Sequence, residues 1–171
     1  MHRHEYRVLT EDDAEQYRTL RLEALETNPT AFSGDYEMTR QRSLEHIAER
    51  IRSTPDSFTM GAFKGDRLVA TAGILRDTYP MVHHKAALVG MFVSPEARGN
   101  GVGYQVARAA MDRMAAEAGI RQILCAVEAT NTSARKLYAK LGFQEFGTEP
   151  AAVMVDGVSY DHVHMVWFVP S

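Results

Sequence analysis

The run Arg98-Gly99-Asn100-Gly101-Val102-Gly103 limits what this chain can fold into more than any other stretch. An apolar segment, Leu88 to Val93, leads into it, and a helical pattern leads out, with Val102, Val106, Ala110 and Met114 on one face. A second apolar segment, Ile120 to Val127, follows Gly119. Strand, glycine loop, helix and strand in that order make a βαβ unit. Glycines in such a loop let the backbone approach an anion with no Cβ in the way, and the unbonded N–H groups of the next helix point at it. A Gly-x-Gly standing alone is more often a surface turn. The preceding strand, the fixed charge of Arg98 and the following helix make a phosphate cradle the expectation here.

Two familiar cradles are excluded. A nucleotide P-loop needs Lys-Ser or Lys-Thr after its glycines, and neither follows these. A dinucleotide fingerprint starting at Gly99 needs a third glycine where Tyr104 stands, and it belongs after a first strand rather than late in a chain.

The wider string Val93 to Gly103 resembles the pyrophosphate loop of the GNAT superfamily of acetyl-CoA-dependent N-acetyltransferases, with Arg98, Gly101 and Gly103 on its Arg/Gln-x-x-Gly-x-Gly/Ala pattern. A second segment, Asn131-Thr132-Ser133-Ala134-Arg135-Lys136-Leu137-Tyr138-Ala139-Lys140-Leu141-Gly142-Phe143, resembles the family's other signature and follows at the expected interval. The resemblance implies a single GNAT-like domain over 1–171, built on a mixed, mostly antiparallel sheet with helices on both faces and one βαβ acetyl-CoA-binding unit. It implies acetyl-CoA as cosubstrate, held by the backbone of Met91, Phe92 and Val93, by Arg98, Gly99, Asn100, Gly101, Val102 and Gly103, and by Asn131. An N–H group near Phe92 would polarise the thioester carbonyl, and Tyr138 would protonate the departing sulfur. Read from the residues alone, Tyr138 is a packed core tyrosine and Asn131 a helix N-cap.

The rest of the chain reads as one α/β domain. Tyr6 to Leu9 is a short strand, and Thr10 with Asp13 forms a capping box for a helix running to about Glu26, ended by Asn28-Pro29. Ser43 opens a helix whose buried face is Leu44, Ile47, Ala48 and Ile51. Between these helices, Thr30 to Glu37 reads as a connection. Phe58 to Phe63 and Leu68 to Leu75 form a hairpin around Gly65-Asp66. Ile120 to Val127, apolar on both faces, reads as a central parallel strand. The helix after it buries Ala134, Leu137, Tyr138 and Leu141 and stops at Gly142-Phe143. Asp156-Gly157 turns a final hairpin whose last strand alternates through Val163, Met165 and Trp167.

Composition removes several partners. At 171 residues and 45% hydrophobic, the chain suits one sizeable core. A net charge of −3 with both signs interspersed disfavours nucleic acid. No apolar run approaches the ~20 residues needed to cross a bilayer, and Met1 to Glu5 lacks the apolar core of a signal peptide, so no membrane partner is expected. The lone Cys125 fits a reducing, cytoplasmic setting.

Acetyl transfer to an amine needs the amine neutral, the carbonyl polarised and the thiolate protonated. Many family members carry a glutamate on the strand before the glycine loop, but Leu88-Val89-Gly90-Met91-Phe92 contains no acid. The candidates for a general base are Asp35, Glu37, His83, His84, Glu128, Asp161, His162 and His164, or water. His83-His84 lack metal-ligand spacing, so no metal is expected. Cys125, mid-strand with no activating base, is a poor nucleophile, which favours direct transfer. The expected acceptor is a primary amine on a small metabolite or amino-acid-like molecule. A peptide or protein N-terminus is the alternative within the class, and a non-catalytic acyl-CoA-binding regulator the alternative outside it. A homodimer is compatible with all of these.

Overall fold

The computed structural model describes residues 3–31 and 34–171. In chain order its elements are β1 (Glu5–Val8), α1 (Ala14–Thr27), α2 (Tyr36–Gln41), α3 (Leu44–Ile51), β2 (Ser57–Lys64), β3 (Arg67–Arg76), β4 (Lys85–Val93), α4 (Val102–Ala115), β5 (Gln122–Glu128), α5 (Thr132–Leu141), β6 (Gln144–Val155) and β7 (Val158–Phe168). The strands form one sheet in the order β1-β2-β3-β4-β5-β7-β6. Every neighbouring pair is antiparallel except β4 and β5. That exception follows from the helix that joins them, because a crossover through α4 returns the chain in the same direction.

Local chemistry sets the element ends. The carboxylate of Asp13 takes the Thr10 backbone N–H at 2.8 Å and completes the capping box ahead of α1. Ser43 caps α3 by accepting from His46 N, and Asn131 caps α5 by accepting from Ala134 N. Gly142 closes α5 at φ +103, a left-handed conformation in which a Cβ would stand 3.1 Å from the Trp167 ring.

Two cores flank the sheet. On one side α1 and α3 pack Leu20, Ile47 and Ile51 against Leu9, Phe63 and Phe92. On the other α4 and α5 pack Val106, Met111 and Leu141 against Ile74, Leu88, Ile123 and Met165. β2 and β4 each meet both cores along their length, and in β4 the cause is a bulge. Thr71 faces Phe92 and Gly73 faces Val89, so Ala72 alone opposes both Gly90 and Met91. Gly90 takes φ +59, and the Thr71 hydroxyl donates to its carbonyl at 3.0 Å. Before the bulge, Ala86 and Leu88 point into the α4 core. Past it the alternation flips: Met91 and Val93 face that core, and Phe92 faces the α1–α3 core.

Several expectations need correction. The 30–37 connection ends in a short helix, α2, capped by Asp35, whose side chain accepts from Met38 N at 2.8 Å; Phe32 and Ser33 of that connection, like Met1 and His2, lie outside the described residues. Leu44 is 40% exposed and leaves the α3 core to Ile47 and Ile51. β5 is parallel to β4 alone and antiparallel to β7. Ala134 and Leu137 are only half-buried, because that side of α5 lines a cleft.

Candidate active site

The cleft exists because β4 and β5 part company. Their pairing covers Lys85 to Ala87 against Gln122 to Leu124 and stops, although β4 continues to Val93 and β5 to Glu128. Among the described residues, β5 therefore does not pair with β4 from Leu88 onward. An extended molecule can pair with a strand edge as an added strand. The cleft between the parted strands has a volume of about 600 Å³ and is lined by Met91, Phe92 and Val93 of β4, by the glycine loop, and by α5.

The loop fits an anion at the mouth of this cleft. Gly99 and Gly101 have φ of +82 and +74, and no atom stands within 4 Å of where their Cβ atoms would be, so the space in front of them is open. Gly101 is the N-cap of α4, and the first intrahelical bond runs from Gln105 N to the Gly101 carbonyl. The N–H groups of Val102, Gly103 and Tyr104 thus have no acceptor within the helix, and the helix dipole adds partial positive charge there. Arg98 is held by a 3.0 Å hydrogen bond from its Nε to the Val93 carbonyl, with its guanidinium 5.6 Å from the Phe92 ring centroid. Arg98, Gly99, Gly101, Val102 and Gly103 all line the cleft. Asn100 lies in the same loop, exposed, and is not among the lining residues.

Tyr138 sits at the inner end. It is 7% exposed, edge-on to Phe143 at 5.7 Å between ring centroids. Burial, with a smaller contribution from Cys125, pushes its phenol well above the ordinary tyrosine range, so it stays protonated at neutral pH. Its hydroxyl has no hydrogen-bond partner among the described residues. Buried tyrosine hydroxyls ordinarily find one, so an unengaged hydroxyl lining a cavity is free to donate to something that enters it. Burial also pushes the Cys125 thiol up to about 12, which removes the thiolate a covalent route would need. Asn131 faces the cleft while its side chain caps α5, so the two readings of that residue coexist.

A smaller cavity of about 90 Å³ opens beside the cleft, between the β4 edge and the end of β5, and shares Met91, Asn131, Ala134 and Tyr138 with it. Glu128 lines this second cavity and is 7% exposed. The other candidate bases stand elsewhere or are engaged. Asp35 caps α2, Glu37 pairs with Arg40, Asp161 accepts the Ala151 N–H, and His164 pairs with Glu149 at 2.7 Å. His83 and His84 precede β4, so roughly 25 Å of extended chain separates them from Met91 at ~3.3 Å per residue. His162 lies opposite Glu128 in the β5–β7 ladder. Among the described residues, no group of three or more His, Cys, Asp or Glu is placed to hold a metal ion.

The glycine loop, the stretch of β4 beyond its pairing with β5 and the α5 tyrosine are joined by a match over residues 15–143 to the acetyltransferase (GNAT) family. The chain belongs to the GNAT acetyltransferase family. A Bacillus subtilis relative, YwnH, provisionally named a phosphinothricin acetyltransferase, is 34% identical over 79 residues, which is 46% of this chain and 48% of the relative. The alignment thus spans about half the length of that curated relative. Among solved structures, a GNAT acetyltransferase from Streptococcus pneumoniae superposes with a TM-score of 0.84 at 21% identity, covering 98% of this chain and all of the other. YncA of Salmonella typhimurium, a provisionally assigned acetyltransferase solved with its cofactor acetyl-CoA, gives a TM-score of 0.80 at 14% identity, over 99% of this chain and 95% of that one. At these identities the structural matches establish the shared GNAT fold. Among the described residues no helix is long and apolar enough to cross a membrane.

Proposed function

We propose that this GNAT protein transfers the acetyl group of acetyl-CoA directly to a primary amine, with residues 1–171 acting as one catalytic domain. The observation that carries the reading is the parting of β4 from β5, which brings the glycine loop, the stretch of β4 beyond its pairing with β5 and Tyr138 to one cleft. The orphan N–H groups at the start of α4, with Gly99, Gly101 and Arg98, suit the pyrophosphate. The edge at Met91, Phe92 and Val93 suits the amides of the pantetheine arm, and an N–H there suits the thioester carbonyl as its charge grows. Asn131 adds a polar contact on the opposite wall. Tyr138 keeps its proton at neutral pH and gives it to sulfur as the C–S bond breaks.

The acceptor we favour is a small, amino-acid-like amine. The name of the Bacillus relative supports that class, and the narrow cavity beside Tyr138, about 90 Å³, suits a slender amine better than a bulky one. Thiol release from acetyl-CoA in the presence of a panel of free amines and of peptides tests both halves of the reading. Release with a free amine and none with peptide N-termini is expected. Release with peptides alone would move the acceptor to the polypeptide class, and acetyl-CoA binding without release to any amine would leave a non-catalytic acyl-CoA binder.

A further inference from the structure

Tyr138 accounts for the proton that reaches sulfur, but an acceptor ammonium must shed protons before and during attack. We propose that Glu128 is the carboxylate on which the acceptor's ammonium group docks and to which it gives its first proton, an inference that rests on the acetyl-transfer reading above. Of the described residues lining the small cavity between the β4 edge and β5, only Glu128 and Tyr138 carry titratable groups. A proton acceptor and a proton donor therefore share a cavity that Leu88, Val89, Gly90 and Met91 of β4 also line.

Glu128 is paired in a way that leaves it wanting a cation. Among the described residues its oxygens accept from Thr130 alone, from the backbone N–H at 3.2 Å and from the hydroxyl at 2.9 and 2.8 Å. Both donors are neutral, and among the described residues Glu128 makes no ion pair. A carboxylate withdrawn from water without a positive partner is costly, and an ammonium arriving in the cavity offsets that cost. Alternation along β5 supports the direction of approach. Cys125 and Val127 belong to the core under α4 and α5, so Ala126 and Glu128 lie on the other face of the strand, and Ala31 of the α1–α2 connection lines the same cavity. Tyr138 of α5 lines the same cavity from the α4–α5 side of the sheet, and across the β5–β7 ladder Glu128 is opposite His162, whose Nε2 is buried with no partner among the described residues. The described lining residues from β4 and the α1–α2 connection are uncharged.

The step balances without a further reactant. The ammonium gives one proton to Glu128, which passes it to water, and the freed lone pair forms the C–N bond at the thioester carbon. As the C–S bond breaks, sulfur takes the Tyr138 proton, and the proton then shed by nitrogen restores the phenol. The products are an amide, a thiol and one released proton.

Glu128 also closes the turn between β5 and α5 through Thr130, so the test must separate charge from scaffolding. Glu128→Gln keeps the size and an oxygen that accepts from Thr130 while removing the charge. Thiol release with n-butylamine is measured from pH 7 to 9.5 for wild type and variant, alongside acetyl-CoA affinity. We expect unchanged acetyl-CoA affinity and a kcat/KM lower by roughly 10²-fold at pH 7. The deficit should shrink as pH rises toward the alkylamine pKa of about 10.4, because the neutral amine needs no base. A folded variant within twofold of wild type, or a deficit that stays constant with pH, overturns the proposal. So does a wild-type protein that binds acetyl-CoA but does not acetylate n-butylamine. Failure of the wild type to bind acetyl-CoA would instead remove the acetyl-transfer reading itself.

Discussion

A phenol packed against Phe143 and Cys125 can serve as filler or as acid, and removing one oxygen distinguishes the two. Tyr138→Phe keeps the ring and its edge-on contact. If the hydroxyl protonates sulfur, the single-turnover rate of acetyl transfer falls by roughly 10²-fold while acetyl-CoA affinity stays near wild type. An unchanged rate in a folded variant returns Tyr138 to packing. Gly101 offers a second test. Its φ of +74 makes any Cβ strained by about 1–2 kcal/mol, although the space around it is open. Gly101→Val should therefore fold with a modest loss of stability and lose most of its acetyl-CoA affinity, as calorimetric titration would show; full affinity would clear the loop of a role. The places of both residues in the fold, on α5 and at the start of α4, were legible in the sequence, since each sits inside a local motif whose neighbours define its backbone. Glu128 was legible only as one acid among several. Which of them faces the cleft depends on strand alternation and on where β4 and β5 separate, and neither is a local property. That His83 and His84 precede β4, at the end away from the glycine loop, was by contrast legible from their order in the chain.

At the scale of elements, the parting of β4 from β5 and the bulge in β4 shape the site together. The bulge turns Met91 and Val93 to the α4 side and Phe92 to the other, so the strand changes cores as it passes the cleft. Periodicity across Leu88 to Val93 gave no warning, because a continuous apolar run looks the same with or without a flip. α2 was hidden as well: it is six residues long and stands on the Asp35 cap rather than on an apolar face. Helices with a periodic face and a cap, α1, α4 and α5, were legible almost to their ends. The joint between β1 and α1 makes a pH-dependent prediction. Arg7 lies over the Phe63 ring at 4.0 Å and donates two hydrogen bonds to the buried Asp13 at 2.8 and 2.9 Å. The hydrogen bonds from Arg7, and then from Thr10, hold the Asp13 carboxyl below its ordinary range. The unfolded chain thus binds this proton more readily than the folded one. The stabilisation is complete above the unfolded value of about 3.9 and is lost as pH falls through the lower folded value. Asp13→Asn should lower stability at pH 7 by roughly 1–3 kcal/mol and flatten the acid side of the stability profile measured by urea unfolding. An acid limb of unchanged slope would assign acid unfolding to other carboxylates.

For the whole molecule, one sheet with a core on each face holds the two walls of the cleft, and a ligand bridging those walls must stabilise the native state. At 100 times its Kd, acetyl-CoA should contribute about 2.7 kcal/mol, which for a chain of this size raises Tm by roughly 5–10 °C. NADH and ATP, whose cradles this loop does not match, should shift it far less. The architecture was legible from the order of elements, because hairpin, βαβ unit and final hairpin leave few ways to arrange one sheet. The interval over which β4 and β5 stay paired was not, since it depends on what each strand meets on its other edge. That interval is also the point on which the functional reading stands, and a crystal structure of the protein with acetyl-CoA tests it most directly. The pyrophosphate should lie on the N–H groups of Val102 to Tyr104, the pantetheine arm along Met91 to Val93, and the thioester sulfur within hydrogen-bonding reach of the Tyr138 hydroxyl. Acetyl-CoA bound outside the gap between β4 and β5, or with its sulfur turned away from Tyr138, would contradict that reading.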